Sequence, residues 1–396
     1  MDANGSATAP AAGPAMIQLD GVSKRYDDGT MAVERLDLAV PRGELVCLVG
    51  PSGCGKTTTM KMVNRLIEPS SGRILLDGED VTHGDPTALR RRIGYVIQNV
   101  GLFPHQRVWE NVATVLRLTG TSKSRARARA EELLELVGLD PATYATRWPA
   151  QLSGGQRQRV GVARALGADP PVLLMDEPFS AIDPIARDRL QAEFLRVQAE
   201  VRKTILFVTH DIDEAVRMGD RIAVFRQGGH LEQYDVPATV LGSPANDFVA
   251  GFVGAERGLR RLAVTSIALG DLDHPPVVLV DDELTSARAA LQETDSRWGV
   301  VLDADGALHG WIDRERLGVA GTTVGQTAHR MDAWVPVGGT LKQAMAEMLT
   351  HDAGWVAVLD GDRYVGVLTP RSLHTALRRS VDDDEGLRVQ PSVDAL

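Results

Sequence analysis

The sequence Gly50-Pro51-Ser52-Gly53-Cys54-Gly55-Lys56-Thr57 follows the pattern G-x-x-x-x-G-K-[ST] of a phosphate-binding loop. The apolar run 44–49 before it predicts a buried parallel strand, and residues 57–66 after it predict a helix. Glycines allow the backbone to turn its N–H groups toward an anion, and the helix N-terminus and Lys56 add positive charge. The stretch therefore predicts a site for nucleotide phosphates, with the Thr57 hydroxyl as a ligand of Mg²⁺.

Composition and charge limit the classes of protein to which the chain can belong. Its 396 residues suffice for two or three domains, and 43% of them are hydrophobic. No apolar run approaches the ~18 residues of a membrane-spanning helix. Residues 1–16 are rich in Ala, Gly and Pro, and they predict a disordered tail rather than a secretory signal. The net charge of −10 argues against a nucleic-acid partner.

Two residues at predicted strand ends are candidates for nucleotide contacts. Residues 17–26 alternate apolar and polar side chains and end in Tyr26, which either stacks on a base or lies on the surface as an ordinary strand-end tyrosine. The short apolar strand 93–97 ends on Gln98. Its neutral amide either reaches Mg²⁺ or water beside a γ-phosphate, or caps a loop.

A second buried strand delivers two carboxylates to its end. The apolar run 171–175 leads into Asp176 and Glu177, an arrangement that is costly unless a cation binds there. Asp176 suits Mg²⁺ bound through water, and Glu177 suits a role in polarising an attacking water. A further buried strand, 204–209, ends at His210, and ligand sites gather at the ends of parallel strands.

A predicted all-helical stretch separates these strands. Residues 109–118 and 125–137 have helical spacing. Leu152-Ser153-Gly154-Gly155-Gln156 then opens a helix that continues to Leu166, and Ser and Gly at a helix start favour anion binding. Asp183 directly precedes another predicted helix, 184–201.

The order of these parts resembles the ATP-binding subunit of an ABC transporter over about residues 17–254. The resemblance implies an α/β fold: a P-loop NTPase with a RecA-like core, an antiparallel β subdomain and a helical subdomain at about 99–166. It implies an ATPase with ATP and Mg²⁺ as cofactors. It also implies that two copies, expected to be identical, face each other head to tail, so that the signature LSGGQ of one closes on the nucleotide of the other.

The resemblance assigns a role to each matching position. Lys56, Gln98, Glu177 and His210 are the expected catalytic residues, and Thr57, Gln98 and Asp176 are expected at Mg²⁺. The expected nucleotide contacts are Tyr26, Gly50, Pro51, Ser52, Gly53, Cys54, Gly55, Lys56, Thr57, Thr58, Gln98, Ser153, Gly154, Gly155, Gln156, Asp183 and His210.

Three segments narrow the resemblance to importers of glycine betaine, choline, carnitine and proline, which are osmoprotectants. They are residues 98–105, 62–69 and 209–215. In such importers the ATPase binds membrane permease subunits at the cytoplasmic face, and a substrate-binding protein acts through them. The cargo is not bound by the ATPase. An importer of another small solute has the same catalytic motifs and remains an alternative, and a soluble ABC ATPase acting on nucleic acid is a more distant one.

The C-terminal third contains an internal repeat. Trp298-Gly299-Val300-Val301-Leu302 recurs as Trp355-Val356-Ala357-Val358-Leu359, each with a second strand after it and a helix before it. This resembles a tandem CBS-domain pair of α+β fold at 259–380, with halves at about 259–320 and 322–380. Because Trp298 and Trp355 hold equivalent positions, we expect both in the core rather than in a cage for a quaternary amine. Residues 381–396 predict an acidic flexible tail.

Overall fold

The computed structural model describes residues 15–97, 101–180, 182–315, 317 and 323–382. Contacts divide the chain into two compact units. The first extends to Val240 and includes Pro244–Gly254; the second contains Leu241–Ser243 and continues from Ala255. Within the described ranges, no helix is both long enough and apolar enough to cross a membrane.

The elements up to residue 254 include both strands and helices. They are β1 Ala15–Arg25, β2 Met31–Pro41, β3 Leu45–Val49, α1 Lys56–Val63, β4 Ser71–Leu76, β5 Glu79–Asp80, α2 Pro86–Arg91, β6 Ile93–Val96, α3 Val108–Val112, α4 Thr114–Leu118, α5 Lys123–Leu136, α6 Pro141–Tyr144, α7 Gly154–Leu166, β7 Val172–Asp176, α8 Pro184–Val201, β8 Thr204–Val208, α9 Ile212–Met218, β9 Arg221–Arg226, β10 His230–Asp235, α10 Pro237–Gly242 and α11 Asp247–Val253.

The first unit is built around a six-stranded sheet in the order β10-β9-β3-β8-β7-β6. All neighbouring pairs are parallel except β10 with β9. Every residue of β3, β7 and β8 is buried, as expected for strands covered on both faces. Because β3, β8 and β7 are adjacent and parallel, their carboxyl ends meet at one edge of the sheet.

A second sheet is antiparallel, in the order β2-β1-β4-β5. Its inward side chains, among them Ile17 and Leu36, share one hydrophobic cluster with Met60 of α1 and with Leu48 and Phe225 of the parallel sheet. The helix after the phosphate-binding loop is therefore packed between the two sheets, which fixes the direction of its N-terminus.

Two helices differ from the sequence prediction. Helix α1 ends at Val63, because Arg65 adopts a left-handed backbone with φ 48°. The predicted helix 109–118 is divided into α3 and α4 at Ala113. There the Thr114 hydroxyl donates to the Glu110 carbonyl at 2.9 Å, a local bond that competes with the helical pattern and bends helices.

The second unit repeats one small motif. Its elements are α12 Arg257–Val264, β11 Val277–Leu279, α13 Leu284–Glu293, β12 Trp298–Leu302, β13 Leu308–Asp313, β14 Trp334–Pro336, α14 Leu341–Thr350, β15 Val356–Asp360, β16 Arg363–Leu368 and α15 Pro370–Asp382. In each copy the first strand pairs parallel to the second, and the second pairs antiparallel to the third. Each copy has its own aliphatic core.

The expectation that Trp298 and Trp355 lie in the core is wrong. Both indoles are partly exposed and stack on each other, with ring centroids 4.3 Å apart and planes 13° from parallel. Together with Trp311 they line an open cleft of about 520 Å³. Neither tryptophan belongs to the aliphatic core of its own copy. The two side chains hold equivalent positions in the repeat and contact each other where the copies meet.

Candidate nucleotide site

The phosphate-binding loop joins β3 to α1 and has a backbone that only glycine adopts without strain. Gly50 and Gly55 have φ of 148° and 105°. A Cβ at Gly50 would lie 2.3 Å from the Phe225 carbonyl oxygen, and one at Gly55 would lie 2.7 Å from that of Ala32. The glycines predicted from the motif are therefore required by both conformation and close packing.

Lys56, the first residue of α1, is folded back over its own loop. Its side chain is buried, and Nζ donates to the carbonyl oxygens of Gly50 at 2.7 Å and Pro51 at 3.0 Å. The Cys54 sulfur, also buried, lies 3.5 Å from Nζ. The ammonium group is thus held at the loop by neutral acceptors. A phosphate oxygen would displace them, because its negative charge adds an ion-pair attraction that a carbonyl lacks.

Thr57 and Asp176 bring two oxygen ligands together. The Thr57 hydroxyl donates to Asp176 Oδ1 at 3.0 Å. Asp176 ends the buried strand β7 and is itself buried. Burial raises the pKa of the Asp176 carboxyl, and the hydrogen bond from Thr57 partly opposes that shift. A buried carboxylate beside a hydroxyl is a donor pair of the hard oxygen type that Mg²⁺ prefers.

Glu177 and His210 follow two adjacent strands and meet beyond the sheet edge. Glu177 has a left-handed backbone with φ 44°, and its N–H donates to the Val208 carbonyl at 3.0 Å. Its Oε2 lies 3.2 Å from Nδ1 of His210. A non-glycine residue held in this conformation is a common feature of functional sites, where surrounding bonds maintain the strain.

Tyr26 lies near the start of α1 with part of its ring exposed. Its hydroxyl is 3.3 Å from that of Thr58, and Lys24 Nζ lies 5.5 Å from the ring centroid. Lys24 is not among the site residues predicted from the sequence. The available signal was its spacing, since residues two apart on a strand share a face. The Tyr26 ring is therefore exposed on the surface and has the Lys24 ammonium group beside it.

The signature segment occupies a different surface. Ser153 caps α7, accepting from the Gln156 N–H at 3.2 Å while Gln156 Oε1 accepts from the Ser153 N–H at 2.9 Å. Asp183 caps α8 by accepting from the Ala186 N–H at 3.0 Å. The two helix N-termini line one open cleft of about 580 Å³, and no residue of the phosphate-binding loop lines it.

Most of the predicted site residues thus form two groups within one chain. Lys56, Thr57, Asp176, Glu177 and His210 lie at the carboxyl edge of the parallel sheet, with Tyr26 and Thr58 beside the loop. Ser153, Gly154, Gly155, Gln156 and Asp183 form the second group. Gln98 lies outside the described residues.

Comparison with known proteins identifies the family. The family model described as ABC transporter matches residues 33–180, and the CBS domain model matches residues 327–379. The glycine betaine/carnitine/choline transport ATP-binding protein OpuCA of Bacillus subtilis is 43% identical over 376 residues, covering 93% of this chain and 98% of the relative. The chain belongs to the ABC transporter family of ATP-binding proteins.

Further relatives have names of the same kind. This ABC protein is 43% identical to the osmoprotectant import ATP-binding protein OsmV of Salmonella typhimurium, with 89% of this chain and 94% of the relative covered. The choline transport ATP-binding protein OpuBA of Bacillus subtilis is 42% identical, with coverage of 90% and 95%.

Solved structures match the first unit of the ABC protein. The dimeric bacterial ABC transporter cassette MJ0796 is 35% identical over 56% of this chain and 99% of that one, with a TM-score of 0.51. A second structure of that cassette, in a post-hydrolysis state with ADP and Pi, is 34% identical. The predicted P-loop NTPase fold class is confirmed, and the ABC protein is an ATPase.

The raised pKa of Asp176 generates a prediction. The folded chain binds this proton more tightly than the unfolded chain does, so ionisation at neutral pH lowers the free energy of unfolding. Asp176→Asn removes that charge and retains an acceptor for Thr57. We expect the melting temperature of the nucleotide-free variant to equal or exceed that of the wild type, while the increase produced by ATP with Mg²⁺ is lost.

Thermal unfolding at pH 7.5, with and without ATP and Mg²⁺, measures both effects. Asp169→Asn is the matched control, since Asp169 is an exposed partner of Lys203 on the surface; it should leave the nucleotide-dependent shift intact. A less stable Asp176→Asn variant that keeps the full shift would contradict the assignment.

Proposed function

We propose that this chain is the ATPase subunit of an importer of osmoprotectants, namely glycine betaine, choline, carnitine or proline. The proposal rests on how much of this chain is matched by relatives that are named for such cargoes. OpuCA matches along 93% of this chain, which includes the C-terminal unit as well as the ATPase cassette. An importer ATPase for an unrelated solute would be expected to resemble this chain in the cassette. It would not be expected to resemble it through the second unit as well.

The proposed partners are the other subunits of such importers. Membrane permease subunits bind this chain at the cytoplasmic face of the membrane, where it is peripheral, and a substrate-binding protein acts through them. A second, identical copy completes the ATPase. No nucleic acid takes part. We propose boundaries of 17–254 for the cassette, with a helical subdomain at about 99–166, and of 259–380 for a regulatory CBS pair.

The roles of the site residues are part of the proposal. Tyr26 stacks on adenine, and the loop N–H groups with Lys56 hold the phosphates. Lys56 Nζ exchanges the Gly50 and Pro51 carbonyls for phosphate oxygens. Glu177 polarises the attacking water and accepts its proton, and His210, 3.2 Å away, holds that carboxylate and contacts the γ-phosphate. Gln98 is proposed beside the γ-phosphate.

The residues present fit Mg²⁺. Thr57 Oγ1 and Asp176 Oδ1 are 3.0 Å apart and offer two hard oxygen ligands, and Mg²⁺ typically takes one or two carboxylates together with phosphate oxygens and water. Gln98 is the third proposed ligand. When bound, Mg²⁺ neutralises charge on the phosphate oxygens. The chain's own contribution is to keep Thr57 and Asp176 oriented toward one point.

Glu177→Gln tests the catalytic assignment. The amide keeps the shape of the side chain but cannot accept a proton, so hydrolysis should fall by about a hundredfold or more. The Kd for ATP should stay near that of the wild type. Steady-state ATPase assays and nucleotide titration measure the two quantities. Glu200→Gln, at an exposed position on α8, is the control and should leave both unchanged. Normal turnover in Glu177→Gln would remove the assigned role.

Transport assays test the cargo. We expect vesicles that contain the reconstituted importer and internal ATP to take up at least one of labelled glycine betaine, choline, carnitine and proline. Vesicles made with Glu177→Gln should take up none of them. Labelled histidine and maltose serve as cargo controls. Uptake of a control solute, with none of the four osmoprotectants transported by an active ATPase, would retain the ATPase and reject the cargo.

A further inference from the structure

Three elements of the first unit meet at one charged contact outside the nucleotide site. Arg159 of α7 forms a two-pronged ion pair with Glu193 of α8, with Nη1–Oε1 and Nη2–Oε2 distances of 3.0 and 2.5 Å. Arg159 Nη1 also lies 3.3 Å from the Gly138 carbonyl oxygen, which follows the C-terminus of α5. The planar guanidinium thereby joins three helices through one side chain.

The backbone is shaped around this contact. Gly138 has φ 70°, and a Cβ there would lie 2.1 Å from Glu193 Oε1. Arg196, one helical turn beyond Glu193, donates to the Leu136 carbonyl at 3.2 Å. The last carbonyls of α5 are therefore satisfied by arginines from α7 and α8, at the helix end where a cation is favoured.

The apolar side chains between α7 and α8 leave a small gap. A cavity of about 20 Å³, enough for about one water, lies beneath the ion pair between α7 and α8. Its walls include Val162, Phe179 and Phe194. The side-chain Nε2 of Gln158, which also lines this cavity, is buried without a hydrogen-bond partner in the described part of the chain. The Arg159–Glu193 ion pair lies at the rim of this cavity and connects the two helices directly.

Both connected helices present their N-termini to the same cleft. Ser153 caps α7 six residues before Arg159, about 9 Å along the helix, and Asp183 caps α8. Arg159 itself lines that cleft. A change in the angle between α7 and α8 would consequently move the signature segment relative to Asp183.

We propose that Arg159 is a positioning residue: its ion pair with Glu193 holds the signature segment and Asp183 as one rigid surface that docks on the nucleotide of a second copy. The inference rests on the proposed two-copy ATPase. In this proposal the Arg159–Glu193 pair does not contact the ATP that is bound by its own chain. Loss of the pair should therefore weaken association of the two copies and leave nucleotide binding by each copy unchanged.

The test compares Glu193→Gln with Glu131→Gln in the full-length chain. Glu131 is the matched control, because its ion pair with Arg127 at 2.8 Å lies within α5, on the surface. Each change is placed in a Glu177→Gln background, and the ATP-dependent dimer is measured by analytical ultracentrifugation. We expect Glu193→Gln to raise the dimer dissociation constant by about fivefold or more, the size of an ordinary coupling energy between contacting residues. Glu131→Gln should leave it unchanged.

Two further measurements separate positioning from general loosening. With Glu177 intact, Glu193→Gln should raise the protein concentration for half-maximal ATPase while kcat at saturating protein stays the same. The Kd for ATP of the dilute monomer should also be unchanged. A parallel loss of ATP affinity and melting temperature would overturn the positioning role.

A double-mutant cycle assigns the effect to the pair. Glu193→Gln should have little further effect in an Arg159→Gln background, and Arg159→Lys, which keeps the charge but not the fork, should have a smaller defect than Arg159→Gln. Full additivity would overturn the inference. A Glu177→Gln chain without any ATP-dependent dimer would instead remove the two-copy premise, so the two failures are distinguishable.

Discussion

The carboxyl ends of β3, β8 and β7 lie side by side, and the nucleotide chemistry of the molecule depends on this one constraint. Each strand is buried along its whole length, so polar side chains first become possible where the strand ends. Lys56, Asp176 and Glu177 are all placed at that edge. Burial there raises the pKa of the Asp176 carboxyl.

The same chain holds the second half of the chemistry on a separate surface. Among the described residues, no atom lies within 4 Å of the position that a Cβ of Gly154, at the start of α7, would occupy. Packing within the described part of the chain therefore does not require a glycine there. A close-approaching partner does require one. In the proposed assembly the helix N-terminus meets phosphates held by the other copy. In the proposed importer, nucleotide binding and association of the two copies are one event, through which ATP moves the permease subunits.

Site residues that lie directly at the end of a strand or at the start of a helix could be predicted from the sequence. The loop at 50–57, the acidic pair at the end of β7 and the cap at Ser153 each lie within a few residues of the element that positions them, so local patterns predicted their placement. Long-range pairs leave no local pattern: Arg159 and Glu193 are 34 residues apart in the sequence and meet only in the folded chain.

Two predictions failed for different physical reasons. Repeat symmetry correctly predicted that Trp298 and Trp355 are equivalent. It did not reveal that the aliphatic side chains already complete both cores, which leaves the indoles to stack on each other. Helical spacing likewise missed the break at Ala113, since hydrophobic periodicity does not register the bond from Thr114 back to Glu110.

Mixing two inactive variants tests most directly the central claim that each ATPase site is built from two copies. Lys56→Ala removes the phosphate-holding charge. Gly154→Asp places an anion at the signature segment, where the chain itself has room for a side chain. We predict that neither variant hydrolyses ATP alone and that an equimolar mixture does, since a mixed pair contains one site with an intact loop and an intact signature. A mixture as inactive as its components, or activity in either variant alone, would contradict the account.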